Sequence, residues 1–241
     1  LQAAFVRSPV SHALIKGIDA TAARAQPGVR TVLTMSDIAP YLTSDRLSVG
    51  MPSKAYRQLR DRPILVDKEA CHVGEPIAIV VADDRYIAED AAALVEIDFD
   101  ILPASAYAET AAQPGSPVAH ADAEHNILAE FTMGYGDTAS AFATAAHTVA
   151  DKFTIHKGLG MAIEGRGLVA RFDPVEDRLT VWLATQMPHM AHRTLIKLLG
   201  RNETNTRVVT PDIGGGFGPK LVFYPEDIVV ATAALILKAP V

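Results

Sequence analysis

Hydrophobic and polar positions in the first hundred residues alternate between strand and helix patterns. Residues 77–82 (IAIVVA) form a continuous apolar run, which is typical of a strand buried on both faces. Residues 95–101 alternate between apolar and acidic side chains and predict a half-buried strand, and residues 28–34 (GVRTVLT) predict another. Helices are predicted over residues 19–24 and over the alanine-rich residues 84–94. This mixture favours an α+β or mixed α/β fold.

A second and more regular block begins at about residue 128. A strand is predicted over residues 178–185 and an amphipathic helix over residues 187–199. The apolar stripe of that helix consists of Met187, Met190, Ala191, Leu195, Leu198 and Leu199. Residues 207–210 predict a further strand, and Pro225 begins a helix with two acids in its first turn.

Two segments show neither the helical nor the strand period. Residues 104–127 are rich in small and polar residues and are predicted to form a surface linker between a domain over residues 1–103 and a second, incomplete domain over residues 128–241. Residues 45–62 are also irregular, and their basic clustering is typical of a contact surface or, more commonly, of a solvated loop. The basic residues are Arg46, Lys54, Arg57, Arg60 and Arg62.

Composition narrows the possible functions. The chain has 241 residues, with 22 basic and 28 acidic side chains and a formal net charge of −6, so bulk electrostatics do not favour binding to nucleic acid or to an anionic membrane. The sequence has no apolar run near the ~18–20 residues of a membrane helix and no signal-peptide pattern, so we expect a cytoplasmic location. The single cysteine, Cys71, excludes an internal disulfide, a Cys-based zinc site and an iron–sulfur cluster held by this chain alone. We expect it to be a buried, inert thiol.

The glycine-rich segment 214–220 (GGGFGPK) is the most informative motif. Four glycines in five positions are costly for folding, so a bare backbone must be needed there. Such a loop can present several N–H groups at close range to a ligand oxygen. Its spacing matches neither a phosphate-binding P-loop nor a dinucleotide-binding fingerprint. A ligand-binding loop is favoured over a tight turn, because a turn needs only one or two glycines.

Two further groups are weaker candidates. Gln186 follows the strand predicted over residues 178–185, a position from which α/β sheets offer side chains to ligands, although a solvent-facing helix start is the more common outcome. Glu164 and Arg166 lie on either side of a glycine, which is compatible with a substrate loop or with a plain turn.

The histidines do not predict a metal site. His189 and His192 lie three residues apart on one predicted helix, and His147 and His156 lie upstream. No acid at matching spacing completes a set of metal ligands, so surface or packing roles are expected for them. We therefore expect no metal ion to be held directly by side chains of this chain.

Short motifs are spread over nearly the whole chain. In the first block they are FVRSP at 5–9, HA at 12–13, PGV at 27–29, VGEP at 73–76 and AEDAA at 88–92. In the second block they are TQ at 185–186, PH at 188–189 and PDIGGGFG at 211–218. In this order they resemble the molybdenum-cofactor subunit of the xanthine dehydrogenase, aldehyde oxidase and carbon monoxide dehydrogenase family. The first set resembles the family's small hammerhead domain, and the second set resembles the first part of its molybdopterin-binding domain.

The resemblance implies roles for the glutamine and for the glycine-rich segment. Gln186 matches the family glutamine that lies beside the metal and bonds to one of its oxygen ligands, so it is implied to be both a catalytic and a cofactor-binding residue. Gly215, Gly216, Phe217 and Gly218 match the loop that gives backbone N–H groups to the cofactor. These implied roles agree with the bare backbone that the glycines already indicate.

The resemblance also implies an activity and partners. The family carries out oxidative hydroxylation of an aldehyde or N-heteroaromatic carbon, with water as the oxygen source and a glutamate as general base. The implied cofactor is molybdenum-molybdopterin in its cytosine dinucleotide form, with iron–sulfur clusters and FAD on partner chains or domains. The implied partners are the remaining molybdenum-subunit polypeptide, an iron–sulfur subunit, a flavin subunit and a small-molecule substrate. A partner's signal could also carry the complex to the periplasm.

The catalytic glutamate and most pterin contacts of the family lie beyond the matched motifs. The chain also begins without a methionine and ends directly after an apolar helix, so we expect it to be a portion of a longer subunit and inactive alone. An alternative is a non-catalytic assembly or scaffold subunit that keeps the fold without the cofactor. A phosphate-binding enzyme is less favoured, because the glycine-rich segment lacks the P-loop lysine and hydroxyl positions.

Overall fold

The computed structural model describes residues 1–48, 53–155 and 158–241. The strands of the first block are β1 (Gln2–Arg7), β2 (Ala13–Asp19), β3 (Val29–Leu33), β4 (Arg46–Leu47), β5 (Arg62–Pro63), β6 (Glu69–Ala70), β7 (Pro76–Ala82) and β8 (Glu96–Ile101). Its α-helices are α1 (Thr21–Arg24), α2 (Met35–Ile38) and α3 (Arg85–Ala92), and a 3-10 turn covers Ala39–Tyr41. The elements predicted for this block are therefore present, with ends shifted by a few residues.

Strand β7 is the centre of a sheet with the order β1–β7–β3, and it runs antiparallel to both neighbours. All seven of its residues are buried, which confirms the double burial predicted from the apolar run. Its side chains alternate between two apolar clusters: Ala78 and Val80 pack with Ala91 of α3, whereas Ile79 and Val81 pack towards the second block.

A second sheet with the order β6–β2–β8 carries the predicted half-buried strand. Ile97 and Phe99 of β8 pack against a small apolar cluster around Val66 and Ile77, as the alternating pattern predicts. The pattern is wrong for Ile101, whose side chain is 60% exposed at the end of the strand.

The second block contains a parallel crossover unit. A short helix, α4 (Ala108–Ala111), lies in the linker. The strands of the second block are β9 (Leu168–Asp173), β10 (Arg178–Leu183) and β11 (Thr206–Val209), and its helices are α5 (Thr138–Thr144), α6 (Pro188–Leu199) and α7 (Pro225–Leu237). The central strand β10 is antiparallel to β9 and parallel to β11, and α6 makes the crossover from β10 to β11. A 3-10 turn over Pro219–Leu221 follows the glycine-rich segment.

Helix α6 has the ends that the sequence predicts. Pro188 lies in its first turn, and Gly200 ends it in the left-handed conformation with φ +60°. Ala191, Leu195 and Leu198 of the predicted stripe are buried. The stripe is wrong for Met190, which is 49% exposed and points away from the core.

One hydrophobic core spans both blocks. Helix α7 is buried along its first ten residues, and its residues Ile228 and Val229 share a cluster with Leu33 and Ile79 of the first sheet. The same cluster contains Leu195 of α6. The two blocks are therefore packed against each other through apolar contacts, in addition to being joined by the linker.

The irregular segment 45–62, where it is described, contacts the linker and the first residues that follow it. Arg57 pairs with Glu130 at 2.9 Å, and Arg60 pairs with Asp122 at 2.7 Å. Backbone hydrogen bonds from Arg57 N to Leu128 O and from Glu130 N to Ala55 O reinforce this contact. The basic clustering is thus a contact surface for the linker rather than the solvated loop that is more common. Residues 49–52 lie outside the described residues.

From residue 127 to residue 161, every described residue is exposed. We call this stretch the exposed segment. Its large apolar side chains are Ile127, Leu128, Phe131, Met133, Tyr135, Phe142, Val149, Phe153, Ile155, Leu159 and Met161. Such an accumulation exceeds the scattered apolar exposure of an ordinary protein surface. Across the described ranges of the chain, helices are too short or too polar to span a bilayer.

Candidate functional site

The glycine-rich segment leaves β11 and turns through three left-handed residues. Gly215 and Gly218 both have a φ of +100°, and Phe217 has a φ of +51°. Glycine adopts this conformation without cost, whereas a residue with a side chain loses about 1–2 kcal/mol. The Phe217 side chain is 74% exposed and gains little from packing, so its strained backbone serves the shape of the loop.

Gln186 lies directly against this loop. Its Oε1 accepts a hydrogen bond from Gly218 N at 3.2 Å, and its own backbone N–H donates to Lys220 O at 2.8 Å. A Cβ on Gly216 would lie 2.4 Å from the Gln186 side-chain Cδ, so a larger residue at position 216 would have to displace the glutamine side chain. The structure therefore brings together the glutamine and the glycine-rich segment.

A carboxylate and a lysine fix the two ends of the loop. Glu164 Oε2 accepts hydrogen bonds from Gly214 N at 2.7 Å and from Lys220 Nζ at 2.6 Å. The hydrogen bond from Lys220 is the main cause that lowers the pKa of Glu164, and the hydrogen bond from Gly214 N–H is the second cause. The side chain is therefore held ionised. Sequence reasoning missed this pair, because Glu164 and Lys220 are far apart in the chain.

Arg166 contacts the start of helix α7, which follows the loop. Its guanidinium lies 3.7 Å from the centroid of the Tyr224 ring, and its Nη2 lies 3.6 Å from Glu226 Oε1. Burial acts to raise the pKa of Glu226, but its own backbone N–H and Arg7 at 2.7 Å outweigh burial and lower it. Tyr224 donates its hydroxyl proton to Pro219 O at 2.6 Å. In this arrangement Glu164 and Arg166 support the loop, and neither forms the plain turn considered from sequence.

Three successive backbone donors of the loop are unused. In the part of the chain that the structure describes, Gly214 N and Gly218 N have acceptors, whereas the N–H groups of Gly215, Gly216 and Phe217 have none. Successive free N–H groups in a chain of alternating backbone handedness are typical of anion-binding concavities. The loop can therefore hold an anionic or oxygen-rich ligand next to the Gln186 amide.

The histidines of the second block that the structure describes have other contacts or face solvent. His192 Nε2 hydrogen-bonds with Thr206 O at 2.8 Å, which confirms the packing role expected for it. His189 and His147 are exposed, and His156 lies outside the described residues.

Cys71 differs from the sequence expectation. The thiol is half-buried rather than buried, and its Sγ lies 3.2 Å from His120 Nδ1 in the linker. Burial is the main cause that raises the pKa of Cys71 to about 12, and the nearby carboxylates of Glu69 and Glu75 add to it. The thiol is therefore a poor nucleophile, as expected. Burial is the main cause that lowers the pKa of His120, and the positive charge of Arg60 lowers it further. Sequence reasoning missed this cluster, because 49 residues separate the cysteine from the histidine.

Two family models match the chain. The aldehyde oxidase and xanthine dehydrogenase a/b hammerhead domain matches residues 1–103, and the molybdopterin cofactor-binding domain matches residues 119–241. The nicotine 6-hydroxylase large subunit of Paenarthrobacter nicotinovorans is 36% identical over 100% of this chain and 29% of its own length. The carbon monoxide dehydrogenase large chain of Hydrogenophaga pseudoflava is 36% identical over 98% of this chain and 30% of its own length.

Solved structures agree with this assignment. Quinoline 2-oxidoreductase from Pseudomonas putida 86 superposes with a TM-score of 0.91 and 33% identity, over 99% of this chain and 30% of that chain. The chain thus spans about 30% of the length of the relatives it matches. The expected family and the expected fold, a hammerhead domain followed by the first part of a molybdopterin-binding domain, are confirmed. The chain belongs to the molybdopterin cofactor-binding family of aldehyde oxidases and xanthine dehydrogenases.

Proposed function

We propose that this chain supplies part of the molybdopterin site of a molybdenum hydroxylase through its glycine-rich loop and Gln186. The observation that carries the proposal is the set of three unused N–H groups at Gly215, Gly216 and Phe217, placed next to the side-chain amide of Gln186. These donors suit the oxygen-rich, anionic group that gives the family its name.

The chemistry of the donors fits such a group. Gly218 N holds Gln186 Oε1, so the glutamine NH2 group, which has no acceptor among the described residues, is left to donate to a ligand oxygen. The glycine at 216 lets the loop backbone approach the glutamine closely. Thr210 Oγ1, at the entry to the loop, is buried without a hydrogen-bond partner in the described part of the chain. An additional polar ligand near the loop entry would give it one.

Each residue then has a defined task. The N–H groups of Gly215, Gly216 and Phe217 would bind and orient the cofactor, and Gln186 would act as a catalytic residue by donating a hydrogen bond from its side-chain amide to the bound group. Gly218 contributes by fixing the orientation of the glutamine amide. When bound, the molybdenum-molybdopterin group supplies the redox chemistry for oxidative hydroxylation of an aldehyde or N-heteroaromatic carbon with water as the oxygen source.

The general base is proposed to lie on the remaining polypeptide of the subunit. Glu164 is a carboxylate that contacts the loop ends, but its Oε2 is engaged by Lys220 and by Gly214 N. Its lowered pKa makes it a weak base. Its role is therefore to position the loop.

Partner chains are proposed on two grounds. The single cysteine cannot hold an iron–sulfur cluster, so the clusters and FAD are placed on partner chains or domains. The exposed segment displays apolar side chains over most of its length, which supports a covering layer formed by the remaining molybdenum-subunit polypeptide. We also propose that the cofactor is the cytosine dinucleotide form of molybdenum-molybdopterin and that the protein is cytoplasmic.

Metal analysis of the full-length subunit in its complex tests the proposal. We expect Gln186→Ala to lower turnover strongly, and Gly216→Ala to lower the molybdenum content per subunit. Glu176→Gln, which changes an exposed residue outside the site, is the matched control. Unaltered molybdenum content and turnover in both site variants would favour the non-catalytic scaffold. Substantial dye-linked oxidation by the isolated chain would contradict the placement of the base elsewhere.

A further inference from the structure

We propose that Glu69, Cys71 and His120 form a binding site for one zinc-type divalent cation, separate from the glycine-rich loop. The single cysteine and the histidine spacing predict no metal site on side chains of this chain, but the fold brings together a carboxylate oxygen, a sulfur and an imidazole nitrogen. These ligand atoms all lie within 4.8 Å of one another. A mixed set of oxygen, nitrogen and sulfur ligands is typical of zinc sites in proteins.

The distances are close to those that a bound ion requires. Cys71 Sγ and His120 Nδ1 are 3.2 Å apart. With a Zn–S bond of ~2.3 Å and a Zn–N bond of ~2.0 Å at the tetrahedral angle, the two ligand atoms would be about 3.5 Å apart. A shift of a few tenths of an ångström therefore brings this sulfur and nitrogen to the spacing of two zinc ligands, and the Glu69 carboxylate, within 4.8 Å of both, would close on the ion.

Surrounding groups already hold two of the ligands in place. Glu69 Oε1 accepts hydrogen bonds from Ala121 N at 2.6 Å and lies 2.8 Å from His12 Nε2. The carboxylate of Glu75 accepts a hydrogen bond from Cys71 N at 2.7 Å and fixes the backbone beside the sulfur. Such outer groups orient metal ligands and strengthen their affinity.

The cluster borders a cavity of about 360 Å³ that has room for a water molecule as the fourth ligand. Three basic side chains also line this cavity, but three acids besides Glu69 line it as well, and Arg60 pairs with Asp122 at 2.7 Å. The basic residues are Arg46, Arg60 and Lys68, and the acids are Asp61, Asp67 and Asp122. Glu69 and Glu75 add negative charge close to the sulfur. The charge balance at the cluster therefore suits a dication.

Metal binding would connect two parts of the chain. Cys71 directly follows β6 of the hammerhead block, whereas His120 belongs to the linker, 49 residues later. One ion would fasten the linker to the hammerhead sheet, in the same region where Arg60 and Asp122 already join them. An ion that binds only when these distant segments are held together stabilises the folded chain by its binding free energy.

Zinc binding is tested on the full-length subunit in its complex, first stripped with a chelator and then titrated with Zn²⁺ alone. We expect one zinc per subunit and a zinc-edge X-ray absorption spectrum with one sulfur at ~2.3 Å. Cys71→Ser should remove the sulfur contribution from this spectrum, and His120→Gln should weaken zinc binding by at least ~10-fold. His147→Gln, which changes an exposed histidine outside the cluster, leaves both readouts unchanged.

The inference is overturned if the wild-type subunit binds no more zinc than the Cys71→Ser/His120→Gln double variant. In that case the cluster is a hydrogen-bonded contact only. His120→Gln keeps the test independent of folding defects at residue 71, because His120 lies outside the hydrophobic core. Molybdenum content is measured in parallel and is expected to be unchanged in every one of these variants, so failure here leaves the loop proposal standing.

Discussion

Lys220 Nζ lies 2.6 Å from Glu164 Oε2, and this pair joins residues that are 56 positions apart in the chain. The lysine side chain is 2% exposed, whereas that of the glutamate is 42% exposed. Because the same carboxylate oxygen also accepts Gly214 N–H, one side chain holds both ends of the glycine-rich loop. The ion pair thus neutralises the buried charge of Lys220 and holds the ends of the loop in place.

Glu164→Gln is expected to loosen the loop. A neutral amide is a weaker acceptor for the buried ammonium of Lys220, so amide exchange at Gly214 should accelerate and the thermal midpoint should fall. Since the pKa of Glu164 is lowered in the folded state, its contribution is present above the ordinary value of 4.5 and is lost as pH falls through the lowered pKa. The difference between the wild type and the variant should therefore shrink in acid.

The control for this prediction is Glu176→Gln. Glu176 pairs with Arg178 on the surface, where both side chains are more than half exposed, so little stability is expected from it. Hydrogen exchange followed by mass spectrometry is the measurement. Equal exchange at Gly214 in the wild type and in Glu164→Gln would show that the ion pair does not fix the loop.

Gly216→Ala is expected to displace Gln186. The added methyl would lie 2.4–2.7 Å from three atoms of the glutamine side chain, and overpacking of this kind costs about 1–3 kcal/mol unless the neighbour moves. If the glutamine moves, its hydrogen bond from Gly218 N is lost. Molybdenum content per subunit should then fall while the protein stays folded by circular dichroism.

Gly17→Ala is the matched control, because a methyl at that exposed position would meet nothing within 4 Å and the residue is not left-handed. It should leave molybdenum content and unfolding temperature unchanged. Full molybdenum content in Gly216→Ala would count against contact between the cofactor and this loop.

The strands and long helices were predictable because their periods reflect local physics. The apolar run of β7 and the amphipathic pattern of α6 each indicate burial, and proline and glycine mark both ends of α6. Met190 and Ile101 break these patterns. A period in the sequence shows which side chains share a face, but not how far the neighbouring element extends over that face.

The supporting contacts of the site could not be predicted from spacing. The glycine-rich segment and Gln186 stood out because their residue types are unusual for a turn or a helix start. Glu164 and Lys220, by contrast, are ordinary charged residues whose meeting depends on the tertiary fold. The same holds for Cys71 and His120, which the linker brings together.

Methionine oxidation can test the covering layer proposed over the exposed segment. Met133 is 84% exposed and Met161 is 79% exposed in this chain. In the complete complex we expect hydroxyl-radical labelling of both to fall towards that of the buried Met35. Tyr86 on α3, which is 78% exposed and lies outside the segment, should remain labelled. Fast labelling of Met133 in the complete complex would contradict a covering partner.

Asp227→Asn is expected to raise stability at neutral pH. Asp227 is 5% exposed near the start of α7, and burial raises its pKa from 3.8 to about 6, although Tyr224 N donates a hydrogen bond to the carboxylate at 2.9 Å. The folded state therefore holds the proton more tightly than the unfolded state between about pH 4 and pH 6. This contribution to stability is fully present below pH 3.8 and is lost as pH rises through 6.

A shift from 3.8 to about 6 corresponds to about 3 kcal/mol across this window. Asparagine keeps the oxygen acceptor for Tyr224 N but does not titrate, so its stability relative to the wild type should improve by about that amount between pH 4 and pH 7. Urea unfolding of the full-length subunit at several pH values measures the change. Asp37→Asn alters the equivalent cap on α2, where Thr34 N donates to a more exposed carboxylate, and controls for the loss of charge at a helix start. A pH-independent difference between the wild type and Asp227→Asn would show that the buried carboxyl of α7 does not change its protonation state between pH 4 and pH 7.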